Sequence, residues 1–347
     1  MTLTADQALA LPLFAITDRT PSEWRGHPRD YYSVGFYSWP NPDTPDGLPY
    51  VRRDCQRNVA TLSDRYDKHR FWQTIAAVNT LVQAHIRTGE DRFADSAVRR
   101  LERWFLDPEV AMRPNFVHGA AQPGVHDGAS IGLIEAVYLI DLLDHVELLL
   151  KSGWFTGQVD NLRSWFADLM SWMRTSDLGR KEESSTSNHG VWWDAQVLRY
   201  ASFTDDQRTI EDITGLFDRR LRQIAPGGTL PRELARPSSL HYTIYGLRAF
   251  AVCSRVAAGY GADLWNSAAA PGRGRLVDAY RFWADHARDE RNWTWPRIPN
   301  DLDRTAYWLA IEAASAYNDE ALSSFALELR ERELPLPEVP LAAALNE

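Results

Sequence analysis

The sequence predicts an all-α protein: an α/α toroid, built as an incomplete barrel of helical hairpins, with a long irregular aromatic-rich N-terminal arm. Apolar residues recur every three or four positions over most of the chain beyond residue 60. No two segments alternate as a strand pair would. Helical hairpins follow one another roughly every 50 to 60 residues, as in arrays that close on themselves. An open superhelical solenoid fits less well, because its period is shorter and more regular.

The first 60 residues form the predicted arm. Prolines at six positions between 21 and 49 interrupt any helix, and Asp46-Gly47 indicates a turn. A long loop that carries many rings usually packs across a domain face or lines a site. We therefore expect residues 1–60 to pack on the barrel through their aromatic side chains: Tyr31, Tyr32, Phe36, Tyr37, Trp39 and Tyr50.

The toroid is predicted to span residues 61–333. Its helical periodicity covers ten stretches: 66–86, 93–105, 131–150, 162–173, 191–203, 210–224, 242–258, 276–287, 304–317 and 320–330. A Leu-x-x-Trp-Phe pattern occurs at both 101–105 and 162–166, at similar places in two hairpins, where it indicates packing between helices. The proline-containing segment 334–347 is expected to be a loosely held tail.

Charge and composition limit the possible partners. The 347-residue chain has 44% hydrophobic and 24% charged residues, typical of a soluble globular protein. Its net charge of −9 argues against nucleic acid and anionic membranes as the main partners. The aromatic content of 12% fits either a carbohydrate groove lined with rings or an aromatic-rich core. An acidic polysaccharide or oligosaccharide remains a possible substrate if arginines cluster locally, and the oligomeric state is left open.

No cofactor and no metal site are predicted. The histidines are scattered without metal-ligand spacing, although a structural ion is left open. Cys55 and Cys253 lie too far apart in sequence to indicate a disulfide framework, and one optional disulfide is also left open. No apolar run approaches the length of a membrane span. Residues 1–14 have no recognisable secretory signal, which predicts a cytoplasmic protein as given, or a secreted or periplasmic one if a signal was removed.

The segment 187–196, SNHGVWWDAQ, is the most informative part of the chain. It follows a polar run with helix-capping chemistry and opens an apolar helix. Asn188 and His189 are therefore expected at a helix entrance that faces a cavity. Of the two indoles, Trp192 and Trp193, we expect one to pack inward and one to face the cleft.

A second polar set, Arg236, His241 and Tyr242, lies around a Pro-Ser-Ser break before the next long helix. Arginine matches a carboxylate, and a phenol can move a proton if neighbouring positive charge lowers its pKa, a role in which His241 can assist. Together with Asn188 and His189, this set suits β-elimination from a uronic acid. Asn188 and Arg236 would neutralise the carboxylate, Tyr242 would act as base and acid, and His189 would share either role.

Several segments resemble the alginate lyase superfamily: 32–43 (YSVGFYSWPNPD), 46–54 (DGLPYVRRD), 104–108 (WFLDP), 188–194 (NHGVWWD) and 233–236 (ELAR). They occur in the family's order between about residues 30 and 320. The resemblance implies the family's α/α toroid and its catalytic set at Asn188, His189, Arg236 and Tyr242. It implies a polysaccharide lyase of the mannuronan or glucuronan type.

The sequence departs from the family pattern at 117–120 (VHGA) and 128–130 (GAS), where a glutamine and an arginine are expected. His118 and His126 are candidate replacements for the missing substrate contacts. In the arm, Arg53 can hold a further carboxylate, while Tyr37, Trp39 and Tyr50 stack on sugar faces.

Two other functions remain open from sequence. An inverting glycoside hydrolase would need two separated carboxylates, for which Asp127, Glu135, Asp194 and Glu233 are available. An inactive sugar-binding relative would keep the fold without the reaction. Elimination leaves an unsaturated uronate that absorbs ultraviolet light, whereas hydrolysis leaves none.

Overall fold

The computed structural model describes residues 3–20, 26–269, 271–298, 302–332 and 334. It divides the chain into two compact units, Met1–Glu182 and Glu183–Glu347. Apart from residue 334, the predicted C-terminal tail lies outside the described residues. Within the described part of the chain, no helix is long and apolar enough to cross a membrane.

The described residues are mostly helical, as the sequence periodicity predicts. The α-helices are α1 Ala5–Ala10, α2 Lys68–Thr88, α3 Asp91–Leu101, α4 Tyr138–Lys151, α5 Val159–Thr175, α6 Asp177–Glu183, α7 Asn188–Phe203, α8 Gln207–Gly215, α9 Asp218–Leu221, α10 Pro231–Leu234, α11 Ser239–Ala258, α12 Leu276–Ala287, α13 Thr305–Tyr317 and α14 Glu320–Glu331. The short strands are β1 Tyr32–Val34, β2 Ser38–Trp39, β3 Val51–Arg52 and β4 His118–Ala121.

The first unit is built around α2, which packs against α1, α3 and α4. Its apolar residues face these neighbours at helical spacing, and Phe71, Val78 and Leu81 are fully buried. Gly89 ends the helix with φ of 70°, a left-handed conformation that glycine adopts without steric cost. The chain then turns directly into α3, which gives the predicted first hairpin.

The arm contains more regular structure than predicted, and the expectation of no strand pair was wrong. Strand β1 pairs in parallel with β4, and β2 pairs antiparallel with β3. These strands have only two to four residues, too few for an alternating pattern to stand out in the sequence. They connect the aromatic segment 31–52 to the loop that follows residue 117.

A buried ionic network fixes β1 against α2. The Lys68 ammonium lies 2.8 Å from a Glu135 carboxylate oxygen and donates to the Val34 carbonyl at 2.9 Å. The Tyr31 and Ser33 hydroxyls donate to the second Glu135 oxygen at 2.8 and 2.6 Å. Because Lys68 is only 1% exposed, the Glu135 charge is what makes its burial tolerable.

The second unit centres on the pairing of α7 with α11, and α7 also packs against α8. Within α7, only His189 and Ser202 are not buried. The stretch 210–224, predicted as one helix, is broken: α8 ends at Gly215, a residue with low helix propensity, and α9 begins at Asp218. Between them Phe217 is buried and contacts Phe250 of α11 edge-on, with ring centroids 5.9 Å apart.

An aspartate in the middle of α7 anchors the start of the same helix. Asp194 is fully buried and accepts two hydrogen bonds of 2.7 Å from the guanidinium of Arg220. Arg220 also donates to the Ser185 carbonyl at 3.0 Å. This paired arginine therefore ties the segment just before α7 to the body of the helix.

Two glycines on the paired helices differ in the space around them. A Cβ added at Gly190 of α7 would overlap the Ser185 carbonyl and the Arg220 guanidinium. A Cβ added at Gly246 of α11 would lie 3.5 Å from Asn188 Cβ and 3.8 Å from Glu233 Cγ, which are ordinary contacts. Of the two, only Gly190 is therefore required by close packing.

We expect Glu135→Ala to lower the free energy of unfolding by about 3–5 kcal/mol, because it leaves the Lys68 charge buried without a counter-ion. Urea denaturation followed by tryptophan fluorescence measures this change. The matched control is Asp95→Ala, which removes an exposed i,i+4 pair with Arg99 and should change stability by about 0.5 kcal/mol or less. A loss below about 1 kcal/mol for Glu135→Ala would contradict the network's stabilising role.

We expect Gly190→Ala to lower the melting temperature by roughly 1–4 °C, since overpacking against a backbone carbonyl costs roughly 1–3 kcal/mol. Gly246→Ala, the same change on the facing helix, should leave the melting temperature unchanged or slightly raised. Differential scanning calorimetry compares the two variants. Equal losses in both would show that the close contact at Gly190 is not what decides the effect.

Candidate functional site

The N-terminus of α7 is held by a carboxylate from α10. The backbone N–H of Asn188 donates to Glu233 Oε1 at 2.7 Å, and its side-chain Nδ2 donates to Glu233 Oε2 at 2.7 Å. Ser187, at the N-cap position, makes no side-chain capping bond, so Glu233 takes that role from 45 residues away. A carboxylate is the favoured group here because the N-terminal end of a helix carries partial positive charge.

The Glu233 carboxyl is buried together with its partner. Asn188 is 2% exposed and Glu233 is 3% exposed. Burial raises the pKa of Glu233, while the two hydrogen bonds from Asn188 and the positive charges of Arg236 and His189 act in the opposite direction. Arg236 and His189 therefore both lie close enough to Glu233 to influence its charge.

The second predicted pair is in direct contact. The guanidinium carbon of Arg236 lies 3.7 Å from the ring centroid of Tyr242, a close cation–π arrangement. Tyr242 is buried in the first turn of α11, and Arg236 is half-buried in the loop before it. The His241 ring meets Tyr242 edge-on, with centroids 5.3 Å apart, which places it beside the ring that it is predicted to assist.

A tryptophan segment holds the beginning of α11. The Ser239 backbone N–H donates to the Pro296 carbonyl at 3.0 Å, and the Trp293 indole donates to the Ser239 hydroxyl at 2.8 Å. The neighbouring Trp295, not singled out from sequence, is half-exposed and lines an apolar cavity of about 340 Å³ beside α10, together with Thr229, Pro231, Leu234 and Ala235. This cavity adjoins the loop that carries Arg236.

The expected split of the two adjacent indoles was wrong. Trp192 is 2% exposed and Trp193 is 1% exposed, because α7 is enclosed by its neighbours over nearly its whole surface. Trp192 contacts the Tyr245 ring at 4.9 Å and lies under the Arg248 guanidinium at 5.9 Å. Neither indole presents an open face for stacking on a sugar.

In the first unit, three predicted arm residues share the β2–β3 ribbon. The Arg53 guanidinium lies over the Trp39 ring at 5.5 Å, and the Arg53 backbone N–H donates to the Tyr37 carbonyl at 2.9 Å. The Trp39 indole donates to the Gln56 carbonyl at 2.9 Å, which fixes the ring's orientation. The three side chains are half-exposed and form one surface that pairs an aromatic face with a positive charge.

The remaining candidates of the first unit lie next to this ribbon. The Tyr50 N–H donates to the Pro123 carbonyl at 2.9 Å, and Gln122 forms an isolated bridge with His126. His126 is exposed, and His118 is half-buried with its Nδ1 3.2 Å from the Asp127 carbonyl. The loop that departs from the family pattern is thus adjacent to the aromatic ribbon.

Three of the four carboxylates that could serve a hydrolase are bonded to other side chains of the protein. Glu135 is paired with Lys68, Asp194 with Arg219 and Arg220, and Glu233 with Asn188. Asp127 is exposed on the first unit. Among the described residues, no three or more His, Cys, Asp or Glu side chains are arranged to hold a metal ion.

The Glu233–Asn188 contact was missed as a pair by sequence reasoning. Glu233 stands in the sequence both as a possible hydrolase acid and as the first residue of the ELAR segment, but nothing in the sequence reveals a contact across 45 residues. The signal that could have found it is its place in the ELAR segment, three residues before Arg236.

Comparisons with known proteins agree with the resemblance seen in the sequence. The sequence model of the alginate lyase family matches residues 16–293 of this chain. A crystal structure of an alginate lyase from Bacteroides ovatus is similar, with 31% identity, a TM-score of 0.87, and coverage of 94% of this chain and 88% of that chain. No curated protein matches the sequence significantly.

Two more distant structures share the fold. Alginate lyase A1-III from Sphingomonas species A1 has 14% identity and a TM-score of 0.57, with 92% of this chain and 87% of that chain covered. A variant of alginate lyase A1-III complexed with tetrasaccharide has 17% identity and a TM-score of 0.52, with 90% and 82% covered.

The family match covers most of the chain, and the similarity to the Bacteroides ovatus enzyme extends over nearly all of it. The predicted fold class, all-α of the α/α-toroid type, is confirmed by these neighbours. The chain belongs to the alginate lyase family and is a polysaccharide lyase that acts on a uronic-acid polymer.

Proposed function

We propose that the protein cleaves mannuronan- or glucuronan-type chains by β-elimination, with Asn188, His189, Arg236 and Tyr242 as its catalytic set. The observation that carries this proposal is the contact between Arg236 and Tyr242, with 3.7 Å between guanidinium and ring. It joins the group that would bind the substrate carboxylate to the group that would move the proton.

Elimination from a uronate is difficult because negative charge develops next to a carboxylate. Arg236 supplies a permanent positive charge and a planar fork that matches the carboxylate geometry. His189, the one residue of the first α7 turn that is not buried, shares this binding. Bound in this way, the carboxylate accepts electron density from C5 as the proton leaves.

Tyr242 is proposed as base and acid. Its phenolate takes the C5 proton, the C5–H electron pair forms the C4=C5 double bond, and the C4–O4 bond breaks. The phenol then returns the proton to O4, which becomes the hydroxyl of the newly released chain end. No water is consumed, and the other product carries an unsaturated uronate. The Arg236 guanidinium stabilises the negative charge of the phenolate by electrostatic attraction.

This one-tyrosine scheme selects the polymer. It requires the C5 proton and O4 to lie on the same side of the ring. Mannuronate and glucuronate share that arrangement, whereas guluronate is inverted at C5. In the first unit, the surface formed by Tyr37, Trp39 and Arg53 is proposed to bind uronate units, by stacking and by pairing with a carboxylate.

Tyr242→Phe should lower the turnover of elimination by about 10³-fold or more, because it removes the group that moves the proton. Oligouronate affinity should be nearly unchanged, because the ring that contacts Arg236 remains. Ultraviolet absorbance of the unsaturated product measures turnover, and calorimetry measures binding. The matched control is Tyr260→Phe, which removes a hydroxyl bonded only to Ser202 among the described residues and should keep wild-type activity. Substantial activity in Tyr242→Phe would move the base role to His189 or His241.

Arg236→Ala and His189→Ala should each lose about 10²-fold or more in turnover, since each removes a group that stabilises developing charge. The same absorbance assay, with purified variants checked by calorimetry for folding, measures this loss. Wild-type turnover in both variants would show that the carboxylate is bound elsewhere.

The wild-type protein should release ultraviolet-absorbing product from mannuronan or glucuronan and much less from guluronan, with none from a neutral glucan. An assay of new reducing ends accompanies the absorbance measurement. Reducing ends without absorbance would indicate hydrolysis, and silence in both assays would indicate a sugar-binding relative. Faster cleavage of guluronan would contradict the one-tyrosine scheme.

A further inference from the structure

The contact with Glu233 decides which atom of Asn188 is left for a ligand. Both donor groups of this residue, the backbone N–H and Nδ2, point at the Glu233 carboxylate at 2.7 Å. A carboxylate accepts hydrogen bonds and cannot donate them, so it holds the amide with its nitrogen inward. The carboxamide oxygen is the side-chain atom that remains.

That oxygen is buried and has no hydrogen-bond partner among the described residues. Native proteins seldom leave a buried polar atom unsatisfied, and each exception calls for an explanation. Asn188 precedes His189 in the chain and is bonded to Glu233, whose charge interacts with Arg236 and His189. The unsatisfied oxygen therefore lies among the residues of the proposed site. An acceptor left open at this place points to a donor that arrives with the substrate.

We propose that Glu233 is a positioning residue that fixes the Asn188 amide so that its Oδ1 accepts a hydrogen bond from an O–H group of the substrate. The inference rests on the proposed function for the identity of that substrate. An ionised carboxylate cannot be the partner of Oδ1, because it has no hydrogen to donate. Arg236 and His189 then carry the binding of negative charge, and Asn188 recognises an O–H.

Two groups of a uronate offer such an O–H: a ring hydroxyl, and the C6 carboxyl when it carries a proton. Both present the same donor to Oδ1. Because protein atoms cover this oxygen, a neighbouring side chain must turn aside as the donor arrives, a rotamer change that is common on binding.

Glu233 also caps α7, so the experiment must separate positioning from stability. Glu233→Gln does this. The Gln carbonyl oxygen can still accept from the Asn188 backbone N–H, which keeps the cap. Its NH₂ group replaces the second carboxylate oxygen and faces Nδ2, a clash of donors that turns the Asn188 amide over. The site then presents NH₂ where it had presented an oxygen.

Asn188→Asp combined with Glu233→Gln restores the original pattern. One oxygen of the carboxylate introduced at position 188 accepts from the Gln NH₂, and the other replaces Oδ1 as the open acceptor. The net charge of the pair is unchanged. Each single variant should lose about 10- to 100-fold in kcat/KM for the cleaved polyuronate, and the double variant should regain at least about 10-fold over the poorer single variant.

The melting temperature of Glu233→Gln should stay near that of the wild type, because the cap is kept. Glu211→Gln, the same substitution at an exposed site of the second unit, is the matched control and should keep full activity. No recovery in the double variant, or a loss of activity in Glu233→Gln that simply follows a loss of stability, would overturn the positioning role.

The source of the O–H is separated with a methyl-esterified oligouronate as substrate, since an ester carboxyl has no hydrogen to donate. Recovery in the double variant that persists with the ester assigns the donor to a ring hydroxyl. Recovery that disappears with the ester assigns it to the carboxyl.

A direct readout keeps this inference separate from the proposed function. In ¹⁵N-edited spectra, the Asn188 NH₂ of the wild type should exchange slowly with solvent, because it is bonded to Glu233. In Glu233→Gln it should exchange faster. Equal exchange rates would overturn the positioning role even if the wild type is an active lyase. Unequal rates would support the role even if no polyuronate is cleaved.

Discussion

The buried contact between Glu233 and the first residue of α7 is the constraint on which the candidate site depends. It joins α10 to α7 through two hydrogen bonds of 2.7 Å. It sets the orientation of Asn188, and it places a carboxylate near the charges of Arg236 and His189. Three residues later in the chain, Arg236 reaches the face of Tyr242. The short helix α10 and the residues just after it thus position Asn188 on one side and Arg236 on the other.

In both units, buried acidic residues pair with basic side chains and fix the local structure. Glu135 balances Lys68 in the first unit, and Asp194 holds Arg219 and Arg220 in the second. Such pairs contribute modestly to stability when intact. Removing one partner is costly, because the charge of the other partner is then buried without a counter-ion and without contact to water. Their effect is to fix geometry: the strand β1 against α2 in one case, and the segment before α7 in the other.

Much of the fold was predictable, because an amphipathic helix repeats its apolar residues with a period that can be read directly. The long helices from α2 to α14 follow that pattern, with two exceptions. One is the break at Gly215, and the other is the stretch 131–150, where α4 begins only at Tyr138 after a 3₁₀ helix over Ser130–Ala136. The two-stranded pairings were not predictable, since strands of two to four residues have too short a period to recognise. In the second unit, Arg236 and Tyr242, two residues that the resemblance singles out, are in contact.

What the sequence could not reveal depends on contacts between distant residues. Nothing in the sequence near Trp192 or Trp193 indicates that neighbouring elements cover both indoles. The sequence does not show that the Glu233 carboxylate is bonded to Asn188, because the two residues are 45 positions apart. Composition suggested rings for sugar binding, but only the structure places the Arg53 guanidinium over Trp39.

The central claim, bond cleavage by elimination, is tested most directly by the masses of the products from one defined oligomannuronate or oligoglucuronate. Elimination adds nothing to the substrate, so the masses of the two fragments should sum to the mass of the intact chain. One fragment should be lighter than a saturated oligomer of the same length by one water. Fragments whose masses sum to the intact chain plus one water would show hydrolysis and contradict the account.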